Sequence, residues 1–381
     1  MKILHLYSDW KWTGPAEPVL QMCKATQDRG HEVIIAHCRT PIRIEEDIAG
    51  KVKEYGLNGT TQFTLNRHIP PLATLRDLWA IPKYVKREQF DVVHMHLCHD
   101  NCIGGYWIQK LIRKNRPVLV RTLHRRSVLK NTLGYRYMMK RLSDGLLTFT
   151  DGFRQKYIER FDLDPARIAV QPMPVDLERF TPDRKFRDMR AEFGVAPDAP
   201  LIGIVGRWQK YRKADVFLEA AAKVLEVEPE ARFMVIGRSS QMEDTVVKPM
   251  NKLGIAEQVI LPGYRIEDYD DTIAGLDIFS LLMPGFDGTA RAVREAMALG
   301  KPCVVSDYGM LPEIVPHEKA GLVVPDKPGE LAESWLRLIR DPDLRQKLGN
   351  GAHAHANEHF RLDKVGACLE EFYKTLQNSL N

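Results

Sequence analysis

No stretch of the 381-residue sequence reaches 18 uninterrupted apolar residues, so no transmembrane helix is expected. The apolar run inside the opening MKILHLYSDW is too short for a signal peptide. Cysteine is scarce: Cys23, Cys38, Cys98, Cys102, Cys303 and Cys368 are scattered, mostly among apolar neighbours. That usage argues against a disulfide framework and fits a reducing cytosol, so a cytoplasmic protein is expected. No G-x-G-x-x-G follows a strand-like run, which speaks against a Rossmann dehydrogenase. Repeats and low-complexity tracts are missing too. The most local lack is of acid: Asn101 to Ser143 holds eleven Lys or Arg and no Asp or Glu.

The overall balance of +5 conceals that asymmetry. Residues 1–190 carry 33 basic and 21 acidic side chains, whereas residues 191–381 carry 22 and 29. A field of this kind attracts phosphates or an anionic membrane surface. Hydrophobic residues at 44% and charged residues at 28% are ordinary for a globular protein long enough to hold two cores.

Strand-like and helix-like runs alternate along the chain. Strands are predicted at Ile3–Tyr7, Val33–Ala36, Thr61–Leu65, Val92–His96, Val118–Leu123, Leu146–Phe149 and Ile168–Val170, with helices between them, the first over Ala16–Arg29 and ended by Gly30. Between Pro172 and Pro200 five prolines break the pattern and suggest a passage between domains. The alternation restarts with strands at Leu201–Val205, Phe233–Ile236 and Val259–Leu261, a helix near Asp268–Ala274, and helices after Pro342. The last helix, about Lys364 to Gln377, is amphipathic. Such alternation predicts an α/β protein with parallel sheets covered on both faces, divided at 1–178 and 179–360, with 361–381 a C-terminal helix packing back on the first domain. Two Rossmann-like domains facing across a cleft are the expected architecture.

The chain is organised around Ile278 to Val315. An apolar run, Ile278–Leu282, leads into the turn Pro284-Gly285-Phe286-Asp287-Gly288 and then a helix with apolar positions at helical spacing, Ala292, Val293, Ala296, Met297 and Leu299. Gly300 stops that helix, Pro302 prevents its continuation, and Cys303-Val304-Val305 starts another strand. The helix start is a ready anion site. Asp287 and Glu295 lie eight residues apart, so one carboxylate on the loop and one two turns along the helix can face one ligand.

This segment, DGTARAVREAMALGKPCVV…GMLPEIV, resembles the signature of the retaining GT-B glycosyltransferases of family 4 (glycosyl transferases group 1), a Glu-x7-Glu pattern in which Asp287 replaces the first Glu with one methylene less. The resemblance extends from Lys2 to Tyr373 and implies the GT-B fold. It implies that Asp287 touches the donor sugar and that Glu295 binds both ribose hydroxyls. Gly288, Thr289 and Ala290 then offer backbone N–H groups to phosphate and sugar. Arg291 and Arg294 have no counterpart in the pattern and read as surface charges.

Other matches lie along the chain. The turn Ser8-Asp9-Trp10-Lys11-Trp12-Thr13-Gly14-Pro15 resembles the family's Gly-Gly loop; Gly14 matches, Pro15 replaces the second glycine and suits a first helical turn. Trp10 and Trp12 are candidates to stack on a sugar, an ordinary strand–helix turn being the alternative. Asp91-Val92-Val93-His94-Met95-His96 resembles a strand lining the cleft floor; the His and Cys residues from His94 to Cys102 fit no established zinc spacing, so no metal is expected. Thr122-Leu123-His124 resembles the strand end whose histidine contacts the donor sugar near the reacting centre. Val205-Gly206-Arg207 resembles the strand end preceding a diphosphate clamp, assigned to Arg207 and Lys213 with Arg212 as the alternative, one residue having been inserted. Cations belong there because the departing nucleoside diphosphate gains negative charge. Gly237 is expected beside the nucleotide and Arg265 beside the base.

The resemblance implies a metal-independent, retaining hexosyltransferase without a protein nucleophile and without a cofactor, the nucleotide sugar, most simply UDP-linked, being a substrate. Asp-x-Asp, the metal motif of the other large glycosyltransferase fold, occurs at 162–164, 268–270 and 341–343, away from strand ends. A nucleotide-sugar epimerase and a non-catalytic sugar-nucleotide binder of the same architecture remain as alternatives. Basic residues interleaved with aromatics and leucines from Tyr106 to Arg141 read as an interfacial segment in which Arg125, Arg126 and Lys130 meet an anionic membrane. The expected acceptor is a lipid-linked or lipopolysaccharide-type glycan in cell-envelope polysaccharide synthesis, the expected place the inner membrane face, and nucleic acid is not an expected partner.

Overall fold

The computed structural model describes the chain except for residues 13–14, 41–46, 67–70, 113, 125–126, 172, 285–289 and 381, and gives only the backbone of 71–73. Two units emerge. The first comprises Met1–Pro174 with Leu362–Asn381, the second Val175–Arg361.

The first unit holds a parallel sheet of seven strands: β1 (Lys2–Tyr7), β2 (Glu32–His37), β3 (Asn58–Thr60), β4 (Val92–Met95), β5 (Val118–Thr122), β6 (Gly145–Thr148) and β7 (Ile168–Val170). Their order is β3-β2-β1-β4-β5-β6-β7, so the winding reverses between β1 and β4. Ligands of such sheets bind outside the carboxyl ends of strands flanking that reversal. Alternation along each strand feeds two cores. Ile3, Tyr7, Val92, Val118 and Val120 pack against helix Ala16–Gln27 and helix Leu362–Leu380. Leu4, Leu6, Val93, Met95 and Leu119 pack with Ile81 and Val85 of helix Pro71–Glu88 and Ile108 of helix Tyr106–Leu111. The C-terminal helix approaches the first helix so closely that a Cβ on Gly366 would lie 2.4 Å from the Ala25 carbonyl oxygen. Glycine is required there by proximity rather than by φ.

The predicted strand at Thr61–Leu65 is not one; pairing stops at Thr60. Phe63 and Leu65 are buried as a strand's would be, but their segment is held by a side chain. Asp77 accepts from the backbone N–H of Thr64 at 3.0 Å and of Leu65 at 2.8 Å. The alternation reported burial, which a loop anchored by a buried carboxylate also satisfies.

The second unit repeats the plan with β8 (Leu201–Val205), β9 (Arg232–Ile236), β10 (Val259–Ile260), β11 (Ile278–Leu281), β12 (Cys303–Ser306) and β13 (Gly321–Val324), all parallel and ordered β10-β9-β8-β11-β12-β13. The reversal here lies between β8 and β11. Phe217, Phe233 and Trp335 pack edge to face and tilted at its centre, and the Trp335 indole N–H donates to Ser280 Oγ at 2.9 Å. Strand β13 was not anticipated. Its Gly321 lies against β12, where a Cβ would meet the Cys303 carbonyl oxygen at 2.1 Å.

Candidate functional site

In the first unit the carboxyl ends of β1, β4 and β5 surround a cavity of about 290 Å³. Tyr7, Asp9, His96, Cys98, Arg121 and His124 are among its walls. The turn after β1 is fixed from β4's side: Asp100 accepts from the Ser8 hydroxyl, from the backbone N–H of His96 at 3.1 Å and from that of Leu97 at 2.8 Å. Burial nevertheless dominates and pushes the Asp100 carboxyl up to about 7.

Behind the cavity three histidines meet. His5 on β1 and His94 on β4 are register partners, and His96 lies two residues further on the same face. His5 Nδ1 and His96 Nε2 share a hydrogen bond of 2.9 Å. The two ring nitrogens of His94 lie 2.7 Å from the hydroxyls of Tyr373 and Thr122. Desolvation lowers His5 to about 3; His94 and His96 lie well below the usual imidazole range because of burial first and neighbouring histidines second. All three are therefore neutral near pH 7. One nitrogen from each lies within 4.8 Å of the others, the only such group of three metal-binding side chains among the described residues. Ligation by His94 would require surrender of a hydroxyl partner, so the arrangement works as a hydrogen-bonded support under the cavity. Sequence pattern alone pairs His94 with His96; it does not reveal His5 and Tyr373, because only parallel pairing and the returning C-terminal helix bring them there.

His124 follows β5, its ring 5.8 Å from that of His96 and 5.2 Å from Phe149. Both its ring nitrogens are buried without a hydrogen-bond partner among the described residues. Burial, then the charge of Arg121, lowers it to about 3. Of the basic run, Lys130 is exposed. Not all eleven cations face solvent: Arg116 forms a two-pronged pair with Asp144 at 2.6 and 2.8 Å, Lys140 pairs with Asp162 at 2.8 Å, and Arg121 is buried. Gly14, Arg125 and Arg126 lie outside the described residues.

In the second unit Glu295 sits in helix Arg291–Ala298, just beyond β11, and is 3% exposed. Its Oε2 accepts from the Tyr269 hydroxyl at 3.0 Å and its Oε1 from Arg291 Nε. Burial, followed by the Glu295 charge, raises the Tyr269 phenol well above its usual value, so it remains a donor. Helix Tyr269–Ala274 is tied down in turn by Asp270, which accepts from Arg179 at 2.8 Å and from Arg184. Arg291 is thus an ion-pair partner. Arg294 is 1% exposed and stacks its guanidinium 5.4 Å from the Phe360 ring. The surface reading is corrected for Arg294, where tertiary contacts that periodicity does not report cover the helix; the Arg291 side chain, 39% exposed, does lie at the surface.

Ala290, at the start of that helix, is fully buried. Asp287, Gly288 and Thr289 lie outside the described residues. At the ends of β8 and β9, Gly206 and Gly237 touch backbone to backbone. Gly237 has φ +124°, and a Cβ there would fall 1.9 Å from the Gly206 carbonyl oxygen. Arg207 is exposed, with no side-chain partner among the described residues. Lys213 takes a left-handed conformation, φ 57°, at the start of helix Ala214–Leu225 and pairs with Asp326. Arg212 Nη1 donates to the Met283 carbonyl at 2.8 Å, just before 285–289. Arg265 is committed to Asp268 and Glu192. Trp208, between these glycines and cations, is structural: it is 1% exposed and its indole N–H donates to the Ile236 carbonyl at 3.1 Å.

Two parallel, doubly wound units with their side-chain clusters at the carboxyl ends of the strands define a GT-B glycosyltransferase class of protein. The family model "Glycosyltransferase Family 4" matches residues 13–179 and "Glycosyl transferases group 1" matches residues 185–355. The chain belongs to the glycosyl transferases group 1. It is 27% identical over 309 residues to the D-inositol 3-phosphate glycosyltransferase of Streptomyces bingchenggensis (strain BCW-1), covering 74% of this chain and 66% of that protein. It is 25% identical over 275 residues to the UDP-Gal:alpha-D-GlcNAc-diphosphoundecaprenol alpha-1,3-galactosyltransferase of Escherichia coli, covering 68% of this chain and 69% of that one. The crystal structure of Anabaena HepE in complex with UDP superposes with a TM-score of 0.80 at 18% identity, over 98% of this chain and 100% of that one, a likeness of fold.

Proposed function

We propose that this chain is a retaining glycosyltransferase that moves a hexose-type sugar from a UDP-linked donor to a lipid-linked or lipopolysaccharide-type acceptor. The observation that carries this reading is Glu295, a buried carboxylate beyond β11 at the winding reversal of the second unit, with both oxygens held by Tyr269 and Arg291. A carboxylate so oriented is an acceptor for the paired hydroxyls of a ribose. In the same reading Asp287 touches the donor sugar and Gly288, Thr289 and Ala290 bind phosphate and sugar through their backbone. Gly14, Gly206 and Gly237 let the chain approach the nucleotide, and Arg265 lies by the base. Arg207 and Lys213 stabilise the departing diphosphate without a metal, Lys213 after exchanging Asp326 for phosphate. His124, neutral and without a hydrogen-bond partner among the described residues, contacts the transferred sugar. Transfer with retention proceeds by front-face attack, which requires no nucleophile from the protein.

The acceptor part draws on the Escherichia coli relative, whose name specifies an acceptor linked to diphosphoundecaprenol. It also draws on the helix Leu133–Arg141, where Leu133 and Tyr137 are 88% and 50% exposed beside Arg136 and Arg141. Among the described residues no helix is long and apolar enough to cross a membrane. The proposal includes attachment at the inner membrane face through this helix, with Arg125, Arg126 and Lys130 of the same basic run contributing charge.

The test is incubation with a panel of UDP-sugars, following UDP release with and without lipid-linked glycan and the anomeric configuration of the product by NMR. Acceptor-dependent release with retained configuration is expected. Release of UDP and free hexose without acceptor would favour the epimerase alternative, and binding without release the non-catalytic one.

A further inference from the structure

Among the described residues of the first unit, Arg121 is a buried guanidinium without an ion-pair partner. It lies on β5, opposite Met95 of β4, and is 2% exposed. Its Nη1 reaches Asn101 Oδ1 at 3.4 Å and its Nη2 reaches Cys98 Sγ at 3.2 Å, an amide and a sulfur. Its Nε is buried without any partner among the described residues. No carboxylate there lies within ion-pair distance of this guanidinium. The acids near this end of the sheet are turned elsewhere. Asp100 faces the Ser8 hydroxyl and the N–H groups of His96 and Leu97, and Asp9 Oδ1 accepts from the N–H of Trp10 at 2.8 Å and of Lys11 at 3.3 Å.

The chain knows how to neutralise arginines that are less buried than this one. Arg116, at 23% side-chain exposure, has Asp144; Arg190, at 18%, has Asp277. An uncompensated buried cation lowers stability, because desolvation is not returned as Coulomb attraction. What Arg121 has instead of an acid is a cavity: it lines the 290 Å³ space at the carboxyl ends of β1, β4 and β5, together with Thr122 and the ring of His124, whose nitrogens have no partner among the described residues. A guanidinium is a planar fork of donors that fits the two oxygens of a phosphate or carboxylate, and such a pair is strongest where water is excluded.

We propose that Arg121 is the anchor of an oxyanion site in the first unit and receives a phosphate or carboxylate carried by the acceptor. This rests on the proposed function, whose acceptor surface, helix Leu133–Arg141, belongs to the first unit. It places the acceptor's negative group at the sheet end beside His124, whereas Arg125, Arg126 and Lys130 answer to the membrane. The same chemistry would suit a diphosphate of the donor, and the experiment separates the two sources.

The experiment is thermal unfolding of the full chain in chloride, in inorganic phosphate at matched ionic strength, and in UDP, for wild type, Arg121→Met and Arg121→Lys. In chloride, Arg121→Met should be at least as stable as wild type, since an unpaired charge leaves the interior. Phosphate near ten times its dissociation constant should raise the wild-type midpoint by roughly 2–5 °C, raise Arg121→Lys less, and raise Arg121→Met least, since only the clamp of Arg207 and Lys213 then remains to bind it. The response to UDP should be the same in all three. A phosphate response undiminished in Arg121→Met, or a loss of stability of that variant in chloride, overturns the site. Disappearance of the UDP response together with the phosphate response overturns the assignment to the acceptor and gives the guanidinium to the donor. A wild-type protein that responds to phosphate through Arg121 but not to UDP supports the site and counts against the nucleotide-sugar reading.

Discussion

The Tyr269 hydroxyl donates to Glu295 Oε2 across 3.0 Å, linking the helix before β11 to the helix after it. The carboxylate thereby has a fixed direction before any ligand arrives. A bond to a charged acceptor contributes about 1.5–3 kcal/mol, and because Tyr269 orients the carboxylate rather than touching the ligand, only part of that reaches the binding constant. Tyr269→Phe should therefore weaken UDP binding roughly 2–10-fold, and Glu295→Ala by about 1–3 kcal/mol, as measured by calorimetry. An unchanged dissociation constant in Glu295→Ala, with the fold intact by circular dichroism, would remove Glu295 from the site.

Asp287 belongs to the sugar end of the donor in the proposed reading. Asp287→Asn should lower turnover far more than it lowers UDP affinity. Equal losses in the two would count against contact with the sugar, and full activity would favour a role for this position outside chemistry.

The clamp separates by partner. Arg207→Ala should slow transfer by roughly 10²–10³, the loss typical of one transition-state donor. Lys213→Ala should do the same, and Asp326→Asn, which releases Lys213 from its ion pair, should leave transfer at least as fast as wild type. If Arg212→Ala is damaging and Lys213→Ala silent, the clamp lies one residue earlier, beside the Met283 carbonyl that Arg212 already holds.

The histidine cluster sets a pH dependence. His5, His94 and His96 resist protonation in the folded chain, His5 down to about 3, whereas the unfolded chain takes up protons near 6.5. Stability from these groups is present above pH 6.5 and is lost as pH falls below it, at up to roughly 1.4 kcal/mol per pH unit for each. Asp100 acts in the opposite sense: its carboxyl, raised to about 7, favours the folded state below pH 7 down to the unfolded value of 3.8. Three groups outweigh one, so the unfolding midpoint should fall steadily between pH 6.5 and 5. A midpoint flat over that range would mean that these rings are not buried neutral.

Membrane attachment is tested by sedimentation with liposomes containing anionic lipid. Wild type should bind at low salt, lose binding at high salt, and lose most of it in Arg125→Glu/Arg126→Glu/Lys130→Glu, since each cation near such a surface contributes about 1 kcal/mol. Indifference to those charges would leave an enzyme with a soluble acceptor.

Much of the scaffold is legible in the sequence. Apolar runs of strand length alternating with helical spacing are a local property, and they place eleven of thirteen strands; Thr61–Leu65 is not a strand, the neighbouring one being Asn58–Thr60, and Gly321–Val324 goes unpredicted. The stretch from Asp287 to Val305 marked Glu295 because loop, helix start and carboxylate are all close in sequence. What tertiary structure alone decided is who meets whom. His5 and His96 touch although 91 residues apart, because the strands carrying them pair in parallel register. Tyr373 reaches His94 across 279 residues only because the last helix returns to the first unit. The two halves of the charge pattern hid the same distinction: the run from Asn101 to Ser143 reads as a uniform basic surface, yet folding pairs Arg116 and Lys140 with acids beyond the run and turns Arg121 inward. Composition and periodicity report how often a side chain is buried, and a charge's partner is set by strand register and helix docking, which no local window contains.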